Sequence, residues 1–245
     1  MDKSYENKYH SLEETHWWFE SRRDVIFNLI RLENKKSKIL EIGCSGGPLL
    51  NFLKGKGFEN VYGVDISKEA IGICKQKGLK NIFVMDGSNT KFKDQEFDII
   101  IASDVLEHIL DDQKAVKEWH RILKVDGKVI VFVPAFNFLQ SSHDLINHHH
   151  RRYTKDQLIR IIKKSNFEIT KSSYWNFVLF FSALFFRLFQ NFFKRDDSVN
   201  KDHLFILNPL LNYILILLLK FENIILNFLK YPFGVSVFVV GKKIN

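Results

Sequence analysis

Between residues 38 and 135 the chain alternates short apolar runs with stretches whose apolar positions recur every three or four residues. "KILEI" (38–42), "NVYGVDIS" (60–67), "NIFVMDG" (81–87), "FDIIIASDV" (97–105) and "GKVIVFVPA" (127–135) predict strands. "PLLNFLKGKG" (48–57), "KEAIGICKQKG" (68–78) and "DDQKAVKEWHRIL" (111–123) predict helices, with Pro48 tolerated in a first turn and Gly55 or Gly57 closing it. The alternation predicts parallel βαβ units with right-handed crossovers in a three-layer α/β sandwich. Such sheets bind ligands at the carboxyl ends of their strands. Gly43, Asp65, Asp86 and Asp104 fall at or near those ends.

Two flanking zones differ from this middle. Residues 1–36 read as an aromatic and basic helical arm, in which "THWWFESRRDVI" (15–26) puts Trp18, Arg22 and Ile26 on one helix face. Residues 176–232 are strongly apolar and precede a last strand-like "GVSVFVVGKK". The arm can pack on the sheet edge or act as a lid.

At 245 residues the chain is long enough for one large domain with an elaboration, and 46% hydrophobic with 26% charged residues is a globular balance. Cys44 and Cys74 are too few for a disulfide framework, so a reducing cytosol is the expected compartment. The polar start has no apolar signal region. The net charge of +8 fits an acidic partner, either an anionic membrane surface or a nucleic acid.

"ILEIGCSGGPLL" (39–50) is a strand, a glycine turn and a helix, and it lacks the G-x-G-x-x-G of a dinucleotide site. Asp65, 22 residues after Gly43, suits a carboxylate that accepts bonds from ribose hydroxyls. Asp86, at the end of the third strand, suits an adenine amino group. The set fits an adenosine without a good phosphate cradle.

These motifs, "LEIGCSGG", "VYGVDIS", "MDG", "FDIIIASDVLEHI" and "ILKVDGKVIVFVPA", resemble in order and spacing the class I S-adenosylmethionine-dependent methyltransferases. The resemblance covers about residues 10–175 and the last strand. It implies a Rossmann-like α/β/α sandwich with a mostly parallel seven-stranded sheet; the apolar zone, lying between the expected sixth and seventh strands, then reads as a hydrophobic helical insertion (177–231) before the last strand. It implies S-adenosyl-L-methionine as cofactor. The first loop, with Glu41, Gly43, Cys44, Ser45 and Gly47, would hold its methionine part. Asp65 would bind the ribose, Ile66 would pack on the adenine, and Asp86 and Gly87 would read the adenine edge. Ser103 and Asp104 would line the methyl-transfer site. The first motif departs from the family's acid-x-Gly-x-Gly-x-Gly, because Ser45 stands at the middle glycine. The arm resembles that of a bacterial subgroup with a His-Trp-Trp-Phe entry, which implies a lid whose Arg22 or Arg23 pairs with the cofactor carboxylate.

"SSHDLINHHHRRYTKDQL" (141–158) follows the fifth strand. Three uses fit it: a solvated loop, a metal site from His143, Asp144, His148 and His150, or an acceptor-binding loop. No metal-ligand motif frames the histidines, so a metal is not expected. The stretch resembles the acceptor loop of quinone O-methyltransferases. On that match His148 is the base, Arg152 (or Arg151) contacts an acidic acceptor group, and Tyr153 closes the pocket. His149, His150 and His108 are alternatives for the base.

In the insertion, the uncharged runs 174–186 and 204–219 are shorter than the roughly 20 residues that span a bilayer. Arg187, Asn191 and Lys194 form one polar stripe at helical spacing; Lys220, Asn223, Asn227 and Lys230 form another. The insertion suits docking on the inner face of a membrane, a homodimer interface or closed subdomain, or a re-entrant hairpin. The expected function is methylation, more on oxygen, of a small or lipid-linked acceptor: a quinone precursor or a glycan or polyprenyl-linked sugar. A catalytically silent cofactor-binding membrane protein and a nucleic-acid methyltransferase are the alternatives. The Asn-Pro-Pro-aromatic tetrad of amino-group DNA methylases is absent after the fourth strand, so no nucleic acid is expected as partner.

Overall fold

The computed structural model describes residues 10, 12–140, 144–145, 147–185 and 207–244. His143, Arg187, Asn191 and Lys194 lie outside the described residues. Seven strands form one sheet: β1 (Lys38–Ile42), β2 (Asn60–Asp65), β3 (Ile82–Val84), β4 (Phe97–Ser103), β5 (Leu123–Pro134), β6 (Phe167–Trp175) and β7 (Ser236–Lys243). Their order across the sheet is β3-β2-β1-β4-β5-β7-β6. All pairings are parallel except those of β7, which runs antiparallel to both β5 and β6.

The central strands are apolar throughout because helices cover both faces. Ile39, Leu40, Ile99, Ile100, Ile101 and Val129 to Val133 are essentially fully buried. Each such side chain stabilises the fold by about 1.5–3 kcal/mol. The covering helices are α1 (Trp17–Ile30), α2 (Pro48–Gly55), α3 (Lys68–Gln76), α4 (Asp112–Ile122), α5 (Lys155–Lys163) and α6 (Pro209–Ile225). Their starts follow local chemistry. Ser67 caps α3 and Asp111 caps α4, while Thr154 and Gln157 close a capping box on α5.

β1 lies between β2 and β4, so the crossovers leave it in opposite directions. That switch point opens a crevice at the carboxyl ends of the strands.

The structure corrects the reading of the second polar stripe. α6 does not turn its polar residues to solvent. Asn223 is buried; it accepts from the Trp175 indole N–H (2.7 Å) and donates to the Ser21 carbonyl (3.0 Å) and Asp24 (2.9 Å). Asn212 accepts from the Trp17 amide at 2.8 Å, and Lys220 pairs with Glu20 at 2.7 Å. The buried Glu222 carboxylate accepts from the amides of Phe177 (2.9 Å) and Val178 (3.1 Å). Polar groups thus fasten α6 to α1 and β6, and Leu210, Tyr213, Ile214, Leu217, Phe221 and Phe228 stay exposed. Asn227 and Lys230 alone of that stripe are exposed.

Candidate active site

The glycine turn after β1 is held from below: the amides of Gly43 and Cys44 both donate to the Val64 carbonyl (2.8 and 3.0 Å). Gly43 has φ +69°, and a Cβ there would lie 2.3 Å from a methyl of Val105. A side chain there would be strained and would have to displace Val105, so the turn packs directly on the segment after β4. Gly87 is equally closed, since its Cβ would stand 2.3 Å from Ile42 Cγ2. The Cys44 side chain is buried behind the turn, so its contribution there is through the backbone.

Asp65 ends β2. Its Oδ2 accepts from the Ser45 amide (3.0 Å) and its Oδ1 from the Ser67 amide (2.9 Å). A carboxylate has about four lone-pair positions, so two remain for hydroxyl donors. Ile66 beside it is 77% exposed, an apolar platform next to that acid. Asp86 is exposed beyond β3, with Oδ1 taking the amide and hydroxyl of Ser88 at 2.8 Å each.

Glu41, the last residue but one of β1, is buried, with Oε2 unpartnered among the described residues. Burial, then Glu13, Cys74 and Asp65, raise its pKa well above the carboxylate range, against a pull from Arg23.

The arm closes this edge of the crevice. Ser45, at φ +48°, donates its hydroxyl to Glu13 Oε2 (2.6 Å) and meets His10 Nδ1 at 2.9 Å. Arg23 donates to the carbonyls of Glu13 (2.5 Å) and Glu14 (2.7 Å). Arg22 is buried between Trp18, Phe132 and Trp175, and its guanidinium bonds Ser103 (3.2 Å), Asp104 (3.0 Å) and Ser236 (2.8 Å). Both arginines therefore have internal partners, and Arg22 ties the arm to the end of β4.

Beyond β4, Asp104 takes a left-handed backbone (φ +56°) and a 3₁₀ turn, Leu106–His108, follows. Glu107 is fully buried, and neither of its carboxylate oxygens has a hydrogen-bond partner among the described residues. Burial and Asp104 raise its pKa well above the usual range, against smaller pulls from its own amide, Arg22 and Arg152. The His150 amide donates to the Glu107 carbonyl at 2.9 Å, bringing the histidine loop against this turn. The rings of His108 and His149 meet edge-to-face, centroids 4.5 Å apart.

The histidine loop differs in detail from the sequence expectation. His149, not His148, reaches the turn; His148 is exposed at φ +56°. Asp144 is buried, accepts from Arg152 Nε (2.8 Å) and Nη2 (3.0 Å), and meets His149 Nδ1 at 3.0 Å. Arg152 also donates to the Ala135 carbonyl. It is a strut of the loop, with its guanidinium already engaged. Tyr153 is 2% exposed, its hydroxyl on Asp112 (3.1 Å) and the Leu106 carbonyl, and burial raises its pKa. It belongs to the core beneath the loop. Glu107 is not among the residues singled out from the sequence; its signal was an acid beside a histidine four residues after a strand end.

A methyltransferase-domain family model matches residues 40–131, from within β1 to within β5. Through these residues the chain carries a methyltransferase domain, which bears out the resemblance to the class I S-adenosylmethionine-dependent methyltransferases. The methyltransferase is 27% identical to an uncharacterised protein of Methanocaldococcus jannaschii over 199 residues, 77% of this chain and 86% of that one. It is 30% identical to the ubiquinone biosynthesis O-methyltransferase of Pelagibacter ubique over 162 residues, 58% of this chain and 66% of that one. In fold it is similar to phosphoethanolamine N-methyltransferase 2 of Haemonchus contortus, solved in complex with S-adenosyl-L-methionine (TM-score 0.59, 19% identity), covering 91% of this chain and 52% of that one.

The methyltransferase uses S-adenosylmethionine, and the chemistry of the crevice fits it. Asp65 retains acceptor positions for sugar hydroxyls, Ile66 offers an apolar face, and the orphaned oxygen of Glu41 suits an ammonium.

Proposed function

We propose that the chain methylates a hydroxyl oxygen of a small or lipid-linked acceptor, a quinone precursor or a glycan or polyprenyl-linked sugar, at a membrane surface. The observation that carries the oxygen assignment is the cluster after β4, where His108 and His149 stand ring to ring beside buried Glu107. A hydroxyl must lose its proton as it reacts, and an unprotonated imidazole accepts one; burial, and then His149, lower the pKa of His108 to about 4, which keeps its ring unprotonated at neutral pH. The cofactor supplies an electrophilic methyl group. The chain's own residues hold the acceptor oxygen in line with it, and such positioning supplies much of the acceleration. The ubiquinone O-methyltransferase relative supports oxygen over nitrogen. Asp65, Ile66 and Asp86 are proposed for the adenosine, and Glu41 for the amino acid part. Ser103 and Asp104, fixed by Arg22, are proposed for the wall between cofactor and acceptor.

The membrane part of the reading rests on the outer face of α6. Large apolar residues exposed together mark an interaction surface, and the chain carries a net charge of +8. Apolar helices on basic proteins suit an anionic lipid interface. Among the described residues no helix is long and apolar enough to cross a membrane.

The test is turnover of the full chain with S-adenosylmethionine against matched phenol, polyprenyl-sugar and amine acceptors, measured as S-adenosylhomocysteine. Hydroxyl acceptors are expected to react, and His149→Ala to lower the rate more than His148→Ala. Reaction of amines alone, or of no acceptor, overturns the reading.

A further inference from the structure

Glu107, His108 and His149 each bring a ligand atom to within 4.8 Å of the other two. The set joins one carboxylate to two imidazoles, from the 3₁₀ turn after β4 and from the histidine loop. It differs from the His143, Asp144, His148 and His150 set that the sequence suggests.

The Glu107 side chain is the second, independent observation. It is 0% exposed, and both carboxylate oxygens lack a hydrogen-bond partner among the described residues. A buried carboxylate so placed costs several kcal/mol unless a cation or donors satisfy it. The surroundings are also arranged as for a metal ligand. His149 turns Nδ1 onto Asp144, and Asp144 is itself fixed by two bonds from Arg152. Metal-bound histidines commonly engage a carboxylate through the second ring nitrogen, which sets the tautomer and the ring orientation. A cation would then take the nitrogen that His149 brings to the cluster.

We propose that Glu107, His108 and His149 hold a divalent first-row transition ion such as Zn²⁺, with Asp144 as the positioning residue of His149. Two nitrogens and one carboxylate oxygen favour such an ion over Mg²⁺ or Ca²⁺, which prefer oxygen alone. Three protein ligands leave coordination positions open, the arrangement of a catalytic rather than a structural site. Asp104, three residues before Glu107, bonds Arg22 at 3.0 Å and is proposed above for the wall between cofactor and acceptor, so the ion would stand beside that wall. Its role would be to bind the acceptor oxygen and lower the pKa of its hydroxyl, whose proton would leave to solvent water before the oxygen takes the methyl group; with the ion bound, His108 and His149 act as its ligands and not as the base. That role rests on the hydroxyl-acceptor reading; the site itself does not.

The test uses the full chain stripped with a chelator and titrated with Co²⁺, followed by its visible absorption and by calorimetry. One ion per chain is expected, displaced by Zn²⁺ and not by excess Mg²⁺. Glu107→Gln, His108→Ala and His149→Ala should each abolish the absorption, while circular dichroism confirms the fold. Asp144→Asn should weaken binding about 10–100-fold. His148→Ala and His150→Ala should leave binding unchanged. No stoichiometric binding overturns the proposal, and so does binding lost in His148→Ala or His150→Ala but kept in Glu107→Gln and His149→Ala. S-adenosylhomocysteine affinity, measured on the same samples, separates the readings. Co²⁺ binding without cofactor binding sinks the methyltransferase site alone, and the converse sinks the metal site alone.

Discussion

The hydroxyl of Ser45 donates to Glu13 across 2.6 Å, joining the glycine turn to the N-terminal arm. Serine at this position carries a left-handed backbone, φ +48°, which glycine adopts without strain. The hydroxyl offsets that strain by holding the arm. Ser45→Ala keeps the strain and loses the bond, so it should destabilise the fold by about 1–2 kcal/mol. Ser45→Gly loses the bond but relieves roughly 1 kcal/mol of strain, so it should be the more stable of the two. Urea midpoints decide between them; the opposite order contradicts this account. Both variants should expose the arm to proteolysis.

Asp65 receives the amides of Ser45 and Ser67 and is proposed for the sugar hydroxyls. Asp65→Asn presents an amide N–H₂ where one of those donors stands. Loss of charge-assisted bonds of about 1.5–3 kcal/mol each should weaken S-adenosylhomocysteine binding on the order of 100-fold by calorimetry. Unchanged affinity in a folded variant would remove Asp65 from the cofactor site.

Glu41 gives the protein a pH dependence with a definite sign. Its pKa in the fold is raised well above 4.5 by burial, Glu13, Cys74 and Asp65. Between the two values the fold binds a proton that the unfolded chain does not. This contribution to ligand-free stability is therefore full below about 4.5 and is lost as pH rises through the folded-state value. A cationic ligand at Glu41 reverses the preference, because it favours the ionised acid. Cofactor affinity should accordingly climb with pH over the same window. Glu41→Gln should flatten both profiles, measured as denaturation midpoints and as calorimetric affinity. A variant that keeps both slopes would place the titration elsewhere.

Phe221 and Phe228 stand 63% and 83% exposed on and just beyond α6. The double variant Phe221→Glu, Phe228→Glu should keep the native unfolding midpoint, since neither side chain is in the core. It should leave the protein in the supernatant after sedimentation with anionic vesicles, where the native chain pellets. Equal pelleting of both, or no pelleting of the native chain, removes the membrane from the reading. A shift of the native chain from dimer to monomer by the same substitutions would assign the face to a second copy instead.

The strands, their order of use and the glycine turn were legible in the chain because their signals are local. A run such as "FDIIIASDV" is apolar on both faces whatever surrounds it, and acids at the strand ends mark a ligand edge without further help. Small offsets arose where local signals overlap. The fourth helix gives way to β5 at Leu123, and the last strand begins at Ser236, two residues after Gly234, where a Cβ would meet the Trp175 carbonyl.

The amino-acid sequence by itself determined the parallel sheet, the turn after β1 and the acids along the crevice. Which histidine meets Glu107, and which way α6 faces, only the tertiary structure decided. Adjacent histidines on a loop share one composition, and the Asp144 anchor that selects His149 over His148 exists only once the loop has closed. A polar stripe can be satisfied equally by water or by buried partners, and its periodicity is the same in both cases. Asn223 found Trp175, Ser21 and Asp24, far from it in sequence, and the apolar face was left outside.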